Sequence, residues 1–233
     1  QISLPYLFNY KFGISTKLDI FREKENYTNV STISSLNYIS KKDIVLSIKY
    51  QRKNSLSENN LLLNIKENNI GTGLEYRYKA NELKISAFIV RSNISDESNA
   101  SLSTTINSLN EIRVSKKIKA TIKSNSSLKF KKNLYDNEML IFGGSNSLRG
   151  FNENEFKANK FIISSINISY DLDKKSDASI FYEQGFFEKR LYTEDKEVGW
   201  PRSIGTGVNI HTSSGKFYLQ YAIGIYEDMR FNL

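Results

Sequence analysis

Cysteine is absent from this chain of 233 residues, histidine occurs once and proline twice. Without cysteine there can be no disulfide scaffold, no zinc–thiolate centre and no thiol nucleophile. The lone imidazole, His211, has no second histidine to share a metal, and a Ser-His-Asp triad would rest on one residue at a polar strand end. It reads as a loop residue, so neither catalysis, a metal nor a cofactor is expected. No run of about 18 apolar residues occurs, which leaves no candidate for a transmembrane helix. Gln1 is preceded by neither a methionine nor an apolar signal segment, and the chain is expected to be a processed or excerpted piece.

Acidic residues are the scarcer charge, 25 Asp and Glu against 33 Lys and Arg, for a formal net charge of +8. Collected into a stripe, that excess would point to nucleic acid. The cations are instead scattered singly through alternating segments, a pattern of solvated surface or barrel lumen, and no nucleic-acid partner is expected.

What the chain does have is two-residue periodicity almost throughout. Ile44, Leu46, Ile48 and Tyr50 alternate with Ser47 and Lys49. Ile118, Ala120 and Ile122 alternate with Lys117, Lys119, Thr121 and Lys123. Ile162, Ile166, Ile168 and Tyr170 are set against Ser165, Asn167 and Ser169, and Phe217, Leu219, Tyr221, Ile223 and Ile225 against Gln220, Ala222 and Gly224. Weaker alternation covers residues 14–20, 27–39, 61–65, 74–78, 83–89, 102–114, 179–186 and 204–210. Turn-forming residues separate these runs: Lys53-Asn54-Ser55, Glu67-Asn68-Asn69, Lys79-Ala80-Asn81-Glu82, Ser92-Asn93, residues 171–175 and Ser213-Ser214-Gly215. The pattern predicts an all-β protein of about twelve strands joined as hairpins, with no helix.

A soluble two-sheet sandwich shows the same alternation. Three features favour a transmembrane antiparallel up-and-down β-barrel. Aromatics such as Tyr50, Tyr78, Tyr170, Phe186, Tyr221 and Tyr226 fall near strand ends, where a membrane-interface girdle would want them. Pro5 and Pro201 lie outside the strands, and the strands are many and regular. On this reading Ile44, Leu46, Ile48, Ile118, Ile122, Ile162, Ile166 and Ile168 face lipid, while Lys49, Lys117, Lys119, Lys123 and Asn167 face the lumen.

One stretch interrupts the alternation: Gly143-Gly144-Ser145-Asn146-Ser147-Leu148-Arg149-Gly150-Phe151. No Gly-Lys-Ser/Thr comes after it and no helix opens there, so a phosphate-cradling loop fails its own context. Leu148-Arg149-Gly150-Phe151 instead resembles the [Val/Leu]-Arg-Gly-[Phe/Tyr] signature of the BamA/TamA/FhaC superfamily, outer-membrane barrels that insert or export other proteins. Downstream, Phe181-Tyr182-Glu183-Gln184-Gly185 resembles that superfamily's Phe-x-Asp-x-Gly strand motif, with Glu183 where Asp is usual. Leu4-Pro5-Tyr6-Leu7-Phe8 resembles the Pro-x-Phe segment before an early strand of such barrels, and Gly205-Thr206-Gly207-Val208-Asn209-Ile210 the strand after the acidic motif.

The resemblance implies that a loop of about residues 131–160 folds back into the barrel and that Arg149 meets Glu183 on the inner wall. Phe181, Glu183 and Gly185 would share the lumenal side if Ile180 and Phe186 face lipid. A guanidinium–carboxylate pair there fixes a loop as lysine could not. For Glu183 the competing functional reading is a raised-pKa general acid, against which the ion pair is favoured; for Arg149 the bland reading is a solvent-exposed turn residue; Trp200-Pro201 reads as an interface anchor or hairpin tip. Residues 1–233 would then form one partial barrel domain, with eight strands before the loop and four after it, matching strands four to fifteen of about sixteen. The implied role is assembly and insertion of outer-membrane proteins. Its partners would be unfolded outer-membrane proteins, periplasmic POTRA domains, accessory lipoproteins and outer-membrane lipid. The alternatives are an FhaC-like two-partner secretion pore, a plain diffusion porin and a soluble all-β binding module.

Overall fold

The computed structural model describes residues 2–4, 11–23, 26–41, 43–57, 63–94, 97–173, 175–192, 196–212, 215–226 and 228–230. The Pro5 to Phe8 motif and the terminal Phe231, Asn232 and Leu233 lie outside these. The strands are β1 (Ile2–Leu4), β2 (Phe12–Glu23), β3 (Tyr27–Lys41), β4 (Ile44–Ser57), β5 (Ile65–Tyr78), β6 (Asn81–Ile94), β7 (Glu97–Arg113), β8 (Ile118–Phe130), β9 (Leu140–Phe142), β10 (Phe156–Ala158), β11 (Lys160–Asp171), β12 (Asp177–Lys189), β13 (Glu197–Gly199), β14 (Arg202–Thr212), β15 (Gly215–Ile225) and β16 (Asp228–Arg230). Among the described residues, all except β9 and β10 join one antiparallel sheet in which successive long strands are neighbours. β9 and β10 form a small separate hairpin inside the β8–β11 loop. Among the described residues the only helical element is a 3-10 turn at Asp136–Glu138 in the same loop.

Eleven of these strands are 11 to 17 residues long, at or beyond the roughly 9 to 11 residues that cross a bilayer. Their connections are short at one end, with Asp171 pairing Asp177 and Thr212 pairing Gly215 across hairpins. The other end also has short links, with Ile94 pairing Glu97 and Glu23 pairing Tyr27, but it carries the longest connection, the loop of residues 131–159. A long loop at one rim fits a membrane barrel.

The two faces differ as the alternation predicts, except that Lys117 sits in the turn before β8 and its Nζ donates to the outward Tyr170 hydroxyl at 3.4 Å instead of entering the lumen. Ile48 is 63 % exposed, Ile166 50 % and Ile162 43 %, on a face that no second sheet covers. A water-soluble sandwich would have buried those side chains; a continuous outward apolar band fits hydrocarbon. The opposite face carries Glu67, Asn69, Ser165, Ser169, Glu183 and Ser203, all buried. This inner face curves around the loop, because one loop reaches widely separated strands. Lys157 pairs with Glu23 on β2, Asn137 bonds Ser55 on β4, and Arg149 pairs with Glu183 on β12.

Two details of the sequence reading change. Of the expected strand 61–65, residues 61 and 62 lie outside the described residues, and Ile65 opens one strand, Ile65–Tyr78, that runs through Glu67-Asn68-Asn69 and takes in 74–78; Lys53-Asn54-Ser55 and Ser92-Asn93 likewise lie inside β4 and β6. All three polar triplets or pairs sit toward the loop rim, where strands outrun the apolar band and are polar on both faces, so composition mimics a turn. At the opposite rim, Lys79-Ala80 does form the turn. Tyr226 is no girdle residue; it faces inward and packs at 5.3 Å on Phe156.

Candidate functional site

The loop enters the lumen because its own backbone is bent to do so. Gly143, Gly144 and Gly150 have φ of 119°, 86° and 87°, a region in which only glycine is unstrained. Gly144 N–H donates to Leu148 O at 3.0 Å and Ser147 N–H to Gly144 O at 3.2 Å, closing a tight turn. Ser145 donates from its hydroxyl and its N–H to Glu153 at 2.6 and 2.8 Å, and those donors, the hydroxyl foremost, hold the Glu153 carboxyl below the usual carboxylate range. The turn delivers Leu148, Arg149, Gly150 and Phe151 to the inner wall.

There Leu148 is fully buried in a cluster with Phe142, Phe156, Phe161, Ile163 and Phe187, with Phe151 at its edge. The Arg149 side chain is placed from three sides. Its Nε and Nη2 approach Glu183 Oε1 at 2.8 and 2.7 Å. The other carboxylate oxygen accepts the Arg149 backbone N–H at 2.7 Å and lies 3.5 Å from the Ser203 hydroxyl. Glu183 thus holds both backbone and side chain of one residue, rather than forming a two-oxygen fork. The guanidinium carbon lies 3.3 Å from the centre of the Phe181 ring, a cation–π contact strengthened by poor hydration. With the Gln220 amide turned to satisfy its neighbours, its oxygen accepts from Arg149 Nε and Nη1 at 3.2 Å.

Small residues on neighbouring strands make the space. A Cβ on Gly205 would stand 2.3 Å from the Phe181 ring, so the glycine is what lets that ring lie flat under the guanidinium. A Cβ on Gly224 would meet Gly150 O at 2.5 Å, and one on Gly150 would meet Gly224 N at 2.7 Å: loop and β15 touch backbone to backbone. Gly185 faces Leu148 and Pro201, and its N–H donates to Pro201 O at 2.7 Å. Of the sequence-selected residues, the structure therefore brings Leu148, Arg149, Gly150, Phe151, Phe181, Glu183 and Gly185 together. Trp200 packs on Phe186 with ring centres 4.5 Å apart and planes tilted by 51°, away from the inner wall, and His211 lies at the opposite end of β14.

Sequence reasoning did not single out Ser203, Gly205, Gln220 and Gly224 as site residues. Alternation placed Gln220 and Gly224 on the lumenal face, but only strand pairing sets Ser203 opposite both Glu183 and Gly224. It also missed a second tether on the far wall. Lys129 Nζ pairs with Glu67 Oε1 at 2.8 Å and donates to Glu138 O at 2.9 Å. Lys131 bonds both Glu138 oxygens at 2.8 and 2.9 Å. Lys53 donates to Asn137 O at 3.1 Å, and Asn137 Nδ2 donates to Ser55 Oγ and Leu63 O at 2.9 Å. Asn159 clips the loop base, its backbone and side chain bonding Lys129, Glu188 and Arg190 at 2.7 to 2.8 Å.

A meandering antiparallel sheet with an apolar exterior, a polar interior and a long loop bound inside it defines a transmembrane β-barrel with an internal loop. More narrowly, the fold is similar to those of the BamA and CdiB barrels. Over 98 % of this chain it is similar to BamA from Haemophilus ducreyi lacking POTRA domains 1–3, with a TM-score of 0.69 and 12 % identity. It is also similar over 93 % of its length to CdiB from Acinetobacter baumannii (TM-score 0.51, 16 % identity) and CdiB from Escherichia coli (0.54, 11 %). The chain spans 59, 47 and 46 % of those three chains. No protein-family model and no curated protein sequence matches it.

Proposed function

We propose that this chain is the barrel part of a bacterial outer-membrane protein assembly factor of the BamA/TamA kind, which inserts other barrel proteins and catalyses no covalent reaction. The observation that carries the proposal is the Arg149–Glu183 latch, which seats a long loop inside the lumen. A loop held on both walls obstructs free diffusion, which argues against a plain porin. The fuller superposition on BamA than on either CdiB favours assembly over export of a single partner. Physically, each backbone group at an open sheet edge in hydrocarbon costs several kcal/mol. A barrel whose seam pairs weakly therefore offers a template to an incoming strand, which adds by edge pairing. The internal loop would brace the wall while the seam opens. POTRA domains and accessory lipoproteins are the periplasmic partners this role requires, unfolded outer-membrane proteins are its substrates, and the outer membrane is its location.

The test is made in cells carrying the full-length protein with Arg149→Ala or Glu183→Gln. Levels of folded outer-membrane proteins and uptake of small antibiotics are measured together. The proposal expects assembly to fall, more for Arg149→Ala, without a proportionate change in uptake. Altered uptake with normal assembly would point to a porin, and loss of one secreted partner to an FhaC-like exporter.

A further inference from the structure

The outer face of the eleven long strands keeps its charge out of the apolar band. Its strand residues with described ionisable side chains are Arg22, Arg52, Lys66, Arg91, Lys160 and Arg202, with Glu188 the sole acid, and each of these lies at the loop end of its strand. Glu188 is paired with Lys196 at 3.0 Å. At the opposite end the same face carries Tyr38, Tyr76, Tyr78 and Tyr170, with the turn lysines Lys79 and Lys117 lying over the Tyr78 and Tyr170 rings at 5.2 and 5.6 Å. Hydrocarbon excludes charge from the band between the two rims.

Three of the cations form a patch. Registration sets Arg52 and Arg91 on either side of Asn68, and Asn54 and Asn93 on either side of Lys66, across β4, β5 and β6. Strands stand about 4.8 Å apart, so two arginines flank one asparagine within about 10 Å, with Lys66 one outward position above. All three cations are exposed and form no ion pair with a described residue. Directly below them in the same registers stand Tyr50, Ile70 and Ile89, exposed on the apolar band. The patch is therefore fixed at headgroup depth, one side-chain row above the acyl chains.

We infer that Arg52, Lys66 and Arg91, with Asn54, Asn68 and Asn93, form a docking site for the phosphate of a phosphorylated lipid in the leaflet on the loop side. Arginine forks and a lysine point charge match phosphate oxygens, the asparagine amides add neutral donors, and the isoleucine row beneath meets the acyl chains. The inference rests on the membrane-barrel reading. Its consequence is a preferred lipid on one stretch of wall, biasing how the bilayer packs against β4–β6.

The experiment uses the full-length protein in nanodiscs of phosphatidylcholine containing a minor fraction of diphosphoryl lipid A, with retained lipid read by native mass spectrometry. Wild type is expected to retain the phosphorylated lipid over phosphatidylcholine, and less of it at high salt. Each cation removed should weaken retention roughly fivefold, so R52Q/K66Q/R91Q should lose on the order of a hundredfold. The charge-keeping R52K/K66R/R91K should retain most of it, and the inner-face variant K119Q/K123Q all of it. Heat-modifiable migration reports separately whether each variant is a folded membrane barrel; if the triple does not fold, R91Q alone is measured. Unchanged retention in folded R52Q/K66Q/R91Q or R91Q, or an equal loss in K119Q/K123Q, would overturn the inference. Failure of wild type itself to fold in amphiphile would instead sink the barrel reading.

Discussion

Arg149 combines three attachments that no other side chain reproduces at once: two nitrogens on Glu183 Oε1, a flat face on Phe181 and an edge toward Gln220. Arg149→Ala leaves Oε1 without its donors in a buried place, at about 1–3 kcal/mol, while the backbone N–H still holds Oε2. The expected result is a folded barrel with a loosened loop, seen as faster proteolysis within residues 143–155 and unchanged heat-modifiable migration. Arg149→Lys should fall between, since an ammonium cannot both stack and reach two partners. A subtler test is Gly224→Ala. In a plain strand that change would be neutral or favourable, yet here the new Cβ meets Gly150 O. It should unseat the loop as Arg149→Ala does without altering any charge; normal protease protection would contradict the close backbone contact.

Strands of this kind are constrained by parity. Ile166 faces outward and Asn167 inward on β11, so Ile166→Lys is expected to cost about 2–4 kcal/mol at the bilayer midplane, and Asn167→Lys far less. Equal folding yields of the two variants in lipid vesicles would refute the assigned register. The loop's second tether behaves as a buried charge network. Lys129→Met strands Glu67 and should cost about 3–5 kcal/mol, whereas Glu67→Gln with Lys129→Met removes both charges and should recover much of that loss. Denaturant unfolding in detergent measures both, and a double variant as unstable as the sum of its singles would deny the pairing.

For the molecule as a whole, the loop is fastened to two walls: to β12 and β15 through Arg149 and Gly150, and to β4, β5 and β8 through Asn137, Glu138 and Lys129. Releasing either leaves the other in place. In planar bilayers, Arg149→Ala and Lys129→Met separately are expected to raise conductance little, and the combination to raise it much more than their sum. Purely additive conductances would mean that the tethers do not share the work of closing the lumen. Solubility should depend on amphiphile throughout, because the outer apolar band has no partner among the described residues.

The sequence by itself settled whatever a two-residue period dictates. Alternation of Ile44 to Tyr50, Ile162 to Tyr170 and Phe217 to Ile225 marked which side chains face out, and sparse prolines left long strands uninterrupted. The glycine-bracketed arginine stood out as a departure from that alternation, whereas the acid 34 residues on keeps the strand period and was legible only through its resemblance to a known strand motif. Strand ends at the loop rim were misread, since above the apolar band both faces are polar and Glu67-Asn68-Asn69 looks like a turn. What only the tertiary structure decided is which distant residues meet. Register puts Ser203 between Glu183 and Gly224, curvature brings Lys129 to Glu67 across 62 residues, and the absence of a Cβ at Gly205 lets Phe181 lie under Arg149. Such contacts depend on where a sheet bends and a loop lands, which is set by the packing of the whole wall and leaves no local period in the chain.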